Sequence, residues 1–105
     1  MTKPFEPLTL GAIDRLPAQL GVYEIADADG HIVYIGYAGG LEPFGLQTAL
    51  RREVERPEAA LFRLEYTSGY LIRWEELLMV HLADHGSLPP ANADQTDKIG
   101  RLSPA

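Results

Sequence analysis

Residues 21–36 read Gly21-Val22-Tyr23-Glu24-Ile25-Ala26-Asp27-Ala28-Asp29-Gly30-His31-Ile32-Val33-Tyr34-Ile35-Gly36. Two runs rich in β-branched and aromatic residues flank Asp29-Gly30, a dipeptide that supplies the positive φ angles of a tight hairpin turn. The stretch therefore predicts a β-hairpin with one tyrosine on each arm. With Asp29 and Gly30 as a two-residue turn, Tyr23 faces Gly36 and Ile25 faces Tyr34. Directly opposed residues share a face of the sheet, so both phenols point the same way, over the side-chain-free Gly36. Val22, Val33 and Ile35 take the other face as the core side. A slip of one residue would separate the tyrosines.

Outward from the hairpin, the pattern alternates between the two periods. Residues 1–10 carry Pro4 and Pro7 and read as irregular, with Phe5 and Leu8 tacking them to the core. Thr9 can cap a short helix over 10–14 that Pro17 stops. After the hairpin, residues 38–43 hold Gly39, Gly40 and Pro43 and read as a loop; without a following Lys they are not a phosphate-binding P-loop. A helix is predicted over about 44–55, its apolar stripe made by Leu46, Ala49, Leu50 and Val54, with Gln47 and Arg51 on the border and Arg52 turned away. Residues 61–66 alternate as a third strand. Ser68 can cap a helix over about 70–84, ended by Gly86, and Leu88 to Asn92 read as an extended crossing segment. Residues 94–105 are polar and read as loosely held. The order β-β-α-β-α gives an α+β domain: a three-stranded, mainly antiparallel sheet flanked by helices. Its 105 residues make one domain, with the core over about 16–94.

One carboxylate looks misplaced. On the later helix, with Leu71 set at 0°, Leu78 falls at about 340° and Leu82 at about 20°, and Glu75 sits between them at about 40°. A carboxylate on an apolar face needs a partner or a metal. Glu75 is thus the strongest chemistry-bearing residue that periodicity identifies. An ion pair with Arg51 or a bond to a tyrosine hydroxyl is the structural alternative.

Charge points the other way. The net charge is −6, and of nine basic side chains only Lys3 and Lys98 are lysines. Phosphate neutralisation needs Lys and Arg, so a free-standing high-affinity nucleic-acid binder is disfavoured. A local patch from Arg51, Arg52, Arg56 and Arg63 is still open. With no cysteine there is neither disulfide nor thiolate metal site. No apolar run reaches membrane-spanning length, and the expectation is a cytoplasmic, soluble protein.

Gly21-Val22-Tyr23, ten residues, then Tyr34-Ile35-Gly36 resembles the signature of the GIY-YIG endonuclease superfamily, and Leu16-Pro17 resembles the approach to it in excision-repair members. Glu75 followed by Leu78 and Met79, and Pro89-Pro90-Ala91-Asn92, resemble two further family elements. The resemblance implies a metal-dependent endonuclease that hydrolyses DNA phosphodiester bonds. It implies Tyr23 as the base activating water, Tyr34 as the residue positioning water or phosphate, and Glu75 as the ligand of one divalent cation, Mg2+ or Mn2+. Gly36, Tyr37 and Asn92 would lie at the substrate, Asn92 as the supporting asparagine. The family's arginine has two candidates here: Gln47, in which case it is lost, or Arg51, one turn on. Arg51 is preferred because it borders the apolar stripe as Gln47 does. The family's histidine has no match, since His31, His81 and His85 lie elsewhere. A catalytically degenerate GIY-YIG-like scaffold that binds protein or nucleic acid is the second reading, and an unrelated α+β interaction domain with an accidental motif match is the third. The absence of a separate DNA-binding module points to a protein partner for targeting.

Overall fold

The hairpin forms one end of a four-stranded antiparallel sheet, its second arm the edge strand, in a computed structural model that describes residues 1–95. The elements in chain order are β1 (Glu6–Pro7), α1 (Leu10–Asp14), β2 (Gly21–Ala26), β3 (Ile32–Ala38), α2 (Leu46–Glu53), β4 (Leu61–Tyr66), α3 (Tyr70–His85) and a 3-10 helix, Pro90–Gln95. The strand order is β1-β4-β2-β3. The three expected strands, the two hairpin arms and the one over 61–66, are present. The expected irregular start is not: Glu6 pairs with Phe62 and Pro7 with Leu61. A two-residue strand is too short to show alternation, and proline is tolerated at such a sheet edge.

Register along the hairpin follows the alternation of its side chains. Tyr23 opposes Gly36 and Ile25 opposes Tyr34. The tip departs from a two-residue turn. Gly30, at φ 87°, closes the turn by donating its N–H to Asp27 O, and a bulge next to Ile25/Ala26 shifts Ala26 onto Ile32. The Asp27 carboxylate accepts the N–H groups of Asp29 and His31, at 3.0 and 2.9 Å, which favours this wider turn. The bulge carries Val33 to the tyrosine side of the sheet.

Both faces of the sheet are covered, where the hairpin pattern alone had only one face as core. Ile13 of α1 and Leu46, Ala49 and Leu50 of α2 pack on the face bearing Tyr23, Ile25, Phe62 and Leu64. Trp74, Leu77 and Leu78 of α3 pack on the opposite face, against Val22 and Ile35. The chain docks α2 through Gly45, whose φ of 58° and contact with the Gln19 backbone leave no room for a side chain. Leu46 N–H then bonds Gln19 O at 2.9 Å. Helix α3 starts at Gly69 without a side-chain cap, because Thr67 rather than Ser68 bonds that turn, and it ends at the left-handed Gly86. The segment read as extended after Leu88 instead winds into the 3-10 helix. From residue 96 onward, the expectation of a loosely held segment lies outside the described residues.

Candidate functional site

Where β3 runs out toward the Gly39-Gly40 loop, the two layers of helices leave a cleft of about 680 Å³ along the free edge of the sheet. Tyr23 and Tyr34 line it from one face, their ring centres 6.1 Å apart. Tyr37 and Tyr70 line it from the other, stacked at 5.6 Å, with Trp74 edge-on to Tyr37. Gly36 is no open spot. Its bare backbone lies under the phenol of Tyr23, and a Cβ there would come within 2.5 Å of that ring and hydroxyl. Glycine is needed here for close approach rather than for an unusual φ.

A carboxylate that the helix pattern marks, and that the sequence reading passed over, lies at the centre of this site. Glu53 follows Leu46, Ala49 and Leu50 on one helical stripe, at the i+7, i+4 and i+3 positions. The argument that singled out Glu75 applies to it directly. Glu53 is 4% exposed. Its Oε2 accepts the Tyr23 hydroxyl at 2.6 Å, and its Oε1 accepts Arg56 Nε at 2.6 Å. The Arg56 guanidinium lies 3.9 Å from the centre of the Tyr34 ring. Tyr23, Glu53, Arg56 and Tyr34 thus form one connected network.

That network sets the phenols' protonation. Burial, then the Glu53 charge, raises the Tyr23 pKa well above its ordinary value of 10.0, and the same two causes raise Tyr34. Tyr23 therefore keeps its proton at neutral pH and donates it to Glu53. A group whose pKa is raised by folding contributes stability below its unfolded pKa and loses it as pH rises through the folded value. Stability is expected to fall in the alkaline range above about pH 10. Urea midpoints measured from pH 8 upward should show this fall in the wild type and a shallower one in Tyr23→Phe; equal slopes would remove Tyr23 as its source.

The other expected site residues fall in several places. Arg51 points away from the tyrosines and pairs with Asp14 of α1 at 2.6 Å. Gln47 bonds the Leu16 carbonyl. The arginines that do reach the cleft are Arg56 and Arg52, the latter held by two bonds of 2.7 and 2.8 Å to Glu42. Asn92 is fully buried on the Ile35 backbone. Glu75 is half-buried, and no hydrogen bond or ion pair joins its carboxylate to another described residue. It does not line the cleft; it lies one turn beyond Leu71, which does. The buried stripe of α3 runs through Trp74, Leu77 and Leu78, so Glu75 sits on its border, roughly 100° from the centre.

The buried donors do not fit a magnesium ion held between the tyrosines. Such an ion needs one or two carboxylates free to bind it. Both oxygens of Glu42 and of Glu53 are engaged, and Glu75 is outside the cleft, which leaves Glu55, exposed on the cleft wall, as its one uncommitted carboxylate among the described residues. Among the described residues, the metal-ligating types converge as a threesome at Asp27, Asp29 and His31. There the Asp27 carboxylate closes the hairpin turn, and its pKa is lowered chiefly by the His31 N–H. No described helix is long and apolar enough to cross a membrane.

A family model, described as a domain of unknown function, matches residues 1–84. The chain belongs to the DUF7508 family. The match takes in the whole sheet, α2 and nearly all of α3, so the tyrosine cleft of this DUF7508 domain is built almost entirely from family sequence. No curated protein and no solved structure matches the chain.

Proposed function

We propose that this DUF7508 domain is a GIY-YIG-like scaffold in which the tyrosine pair has become architecture, and that its cleft serves as a binding site rather than a nuclease centre. The observation that carries this reading is the pairing inside the cleft. Arg52 is held by Glu42, and Arg56 and the Tyr23 hydroxyl are held by Glu53. Phosphodiester hydrolysis needs donors free to stabilise developing charge and a base free to accept a proton. Here the arginines are neutralised, and the phenol is a donor with a raised pKa. The net charge of −6 further opposes the approach of a polyanion.

Metal-dependent DNA cleavage is the second reading. Tyr23, Tyr34 and Gly36 on one face of the hairpin favour it, as does the free carboxylate of Glu75 one turn past a cleft wall. Supercoiled plasmid incubated with the chain and magnesium or manganese separates the two. The binding reading expects no nicking. Nicking that disappears in both Tyr23→Phe and Glu75→Ala would reject it in favour of the endonuclease.

A further inference from the structure

We infer that the cleft takes a segment of a partner protein that is both basic and apolar; this rests on the binding reading above. Five charged side chains line the cleft, three glutamates and two arginines, so its lining charge is −1. Four of the five are locked in ion pairs. The fifth, Glu55, is exposed, and no hydrogen bond or ion pair joins it to another described residue. The charge the cleft offers a ligand is therefore negative, on a chain that is itself acidic. Cations suit the remaining surface as well, since tyrosine faces attract ammonium and guanidinium groups. Arg56 over Tyr34 is an internal example.

The lips of the cleft are apolar. Leu41 is 98% exposed and Leu71 48% exposed in its lining, with Ile72 next to Leu71 in the chain at 70%. Large apolar side chains gathered at the mouth of a cleft mark an interaction surface more than singly scattered ones do. An apolar anchor against Leu41 and Leu71, accompanied by Lys or Arg for Glu55, satisfies both features. A phosphate backbone satisfies neither.

The test is fluorescence anisotropy at low salt with three labelled peptides. One carries leucine and phenylalanine among lysines and arginines, one has the basic residues replaced by glutamate, and one keeps the lysines but replaces the apolar residues by serine. The first should bind at least about tenfold tighter than either control, a difference of about 1.4 kcal/mol. Leu41→Asp and Glu55→Lys should each weaken it by about tenfold at unchanged thermal midpoint, since both side chains are exposed. Equal binding of the three peptides, or indifference to both substitutions, overturns the inference. Tyr34-dependent capture of a single-stranded oligonucleotide in place of the peptide overturns it too, while leaving the binding reading intact; plasmid nicking would remove that reading itself. Residues 96–105 contain Lys98, Ile99, Arg101 and Leu102. Tighter peptide binding by the full chain carrying Lys98→Glu and Arg101→Glu would name this segment as the occupant and reject an external partner. Concentration-dependent self-association abolished by Leu41→Asp would name a second copy and do the same.

Discussion

Glu53→Ala is expected to lower the unfolding free energy by about 3 kcal/mol, the scale for removing one partner of a buried charged pair. Two groups lose their acceptor at once. The Tyr23 hydroxyl, on a residue 2% exposed, loses its acceptor, and an unsatisfied buried donor costs about 1–3 kcal/mol. Arg56 is left over the Tyr34 ring with its charge uncompensated, though its partial exposure moderates that loss. For a domain of this size the fall in thermal midpoint should be roughly 12–20 °C. The size of the effect alone would not show that the three groups act together, so a double-mutant cycle is the decisive form. Tyr23→Phe should cost about 1 kcal/mol, because Glu53 keeps Arg56. Tyr23→Phe in the Glu53→Ala background should cost less than it does alone, or stabilise, because it deletes the hydroxyl that the first change stranded. Additivity within about 0.4 kcal/mol would mean that the 2.6 Å bond carries no coupling in solution.

Which features were legible in the sequence depends on whether their cause is local. The hairpin arms, the shared face of Tyr23 and Tyr34, and the helix ended by Gly86 follow from period-2 alternation and turn chemistry, both confined to a few neighbours. The wide turn at Asp27 was missed because a two-residue Asp-Gly turn and an Asx-closed turn share their residues, and only the carboxylate's bonds to two N–H groups decide between them. β1 was missed because two residues have no period. The candidate site was half legible. An acid on an apolar stripe is legible from helical period alone, on α2 as on α3, and Glu53 sits nearer the centre of its stripe than Glu75 does on its own helix. Arg52 and Arg56 could not be placed from α2 alone. Amphipathicity reports which side of a helix meets the core. It is silent on the charged flank that meets the end of β3, because that contact is set by the docking of Gly45 on Gln19.

Asn92→Ala is expected to cost about 3 kcal/mol, and the loss should begin at the free edge of the sheet. Among the described residues β3 has no strand beyond it, so the outward N–H and carbonyl of Ile35 need another partner. Asn92 supplies both: its Oδ1 accepts Ile35 N–H at 2.8 Å and its Nδ2 donates to Ile35 O at 2.9 Å. Trp74 Nε1 donates to the same carbonyl at 3.0 Å. The amide thus acts as one residue of a missing strand, presenting a donor and an acceptor in the geometry of a ladder. After truncation the carbonyl keeps Trp74, but the buried N–H is orphaned, at about 1–3 kcal/mol, and the cavity left by a fully buried side chain adds to this. Asn92→Asp separates hydrogen bonding from volume. The carboxylate fits the space and still accepts the N–H, but it has no donor for the carbonyl and brings a buried charge against it, so it should destabilise at least as much as alanine. Hydrogen exchange locates the effect: the Ile35 amide should lose protection in both variants before the β2 amides do. The same change frees the 3-10 helix, and with it Gln95 at the cleft wall, so basic peptides should bind more weakly under conditions where the variant is still folded. An aspartate variant as stable as the wild type, with Ile35 still protected, would mean that Asn92 holds the edge by packing alone.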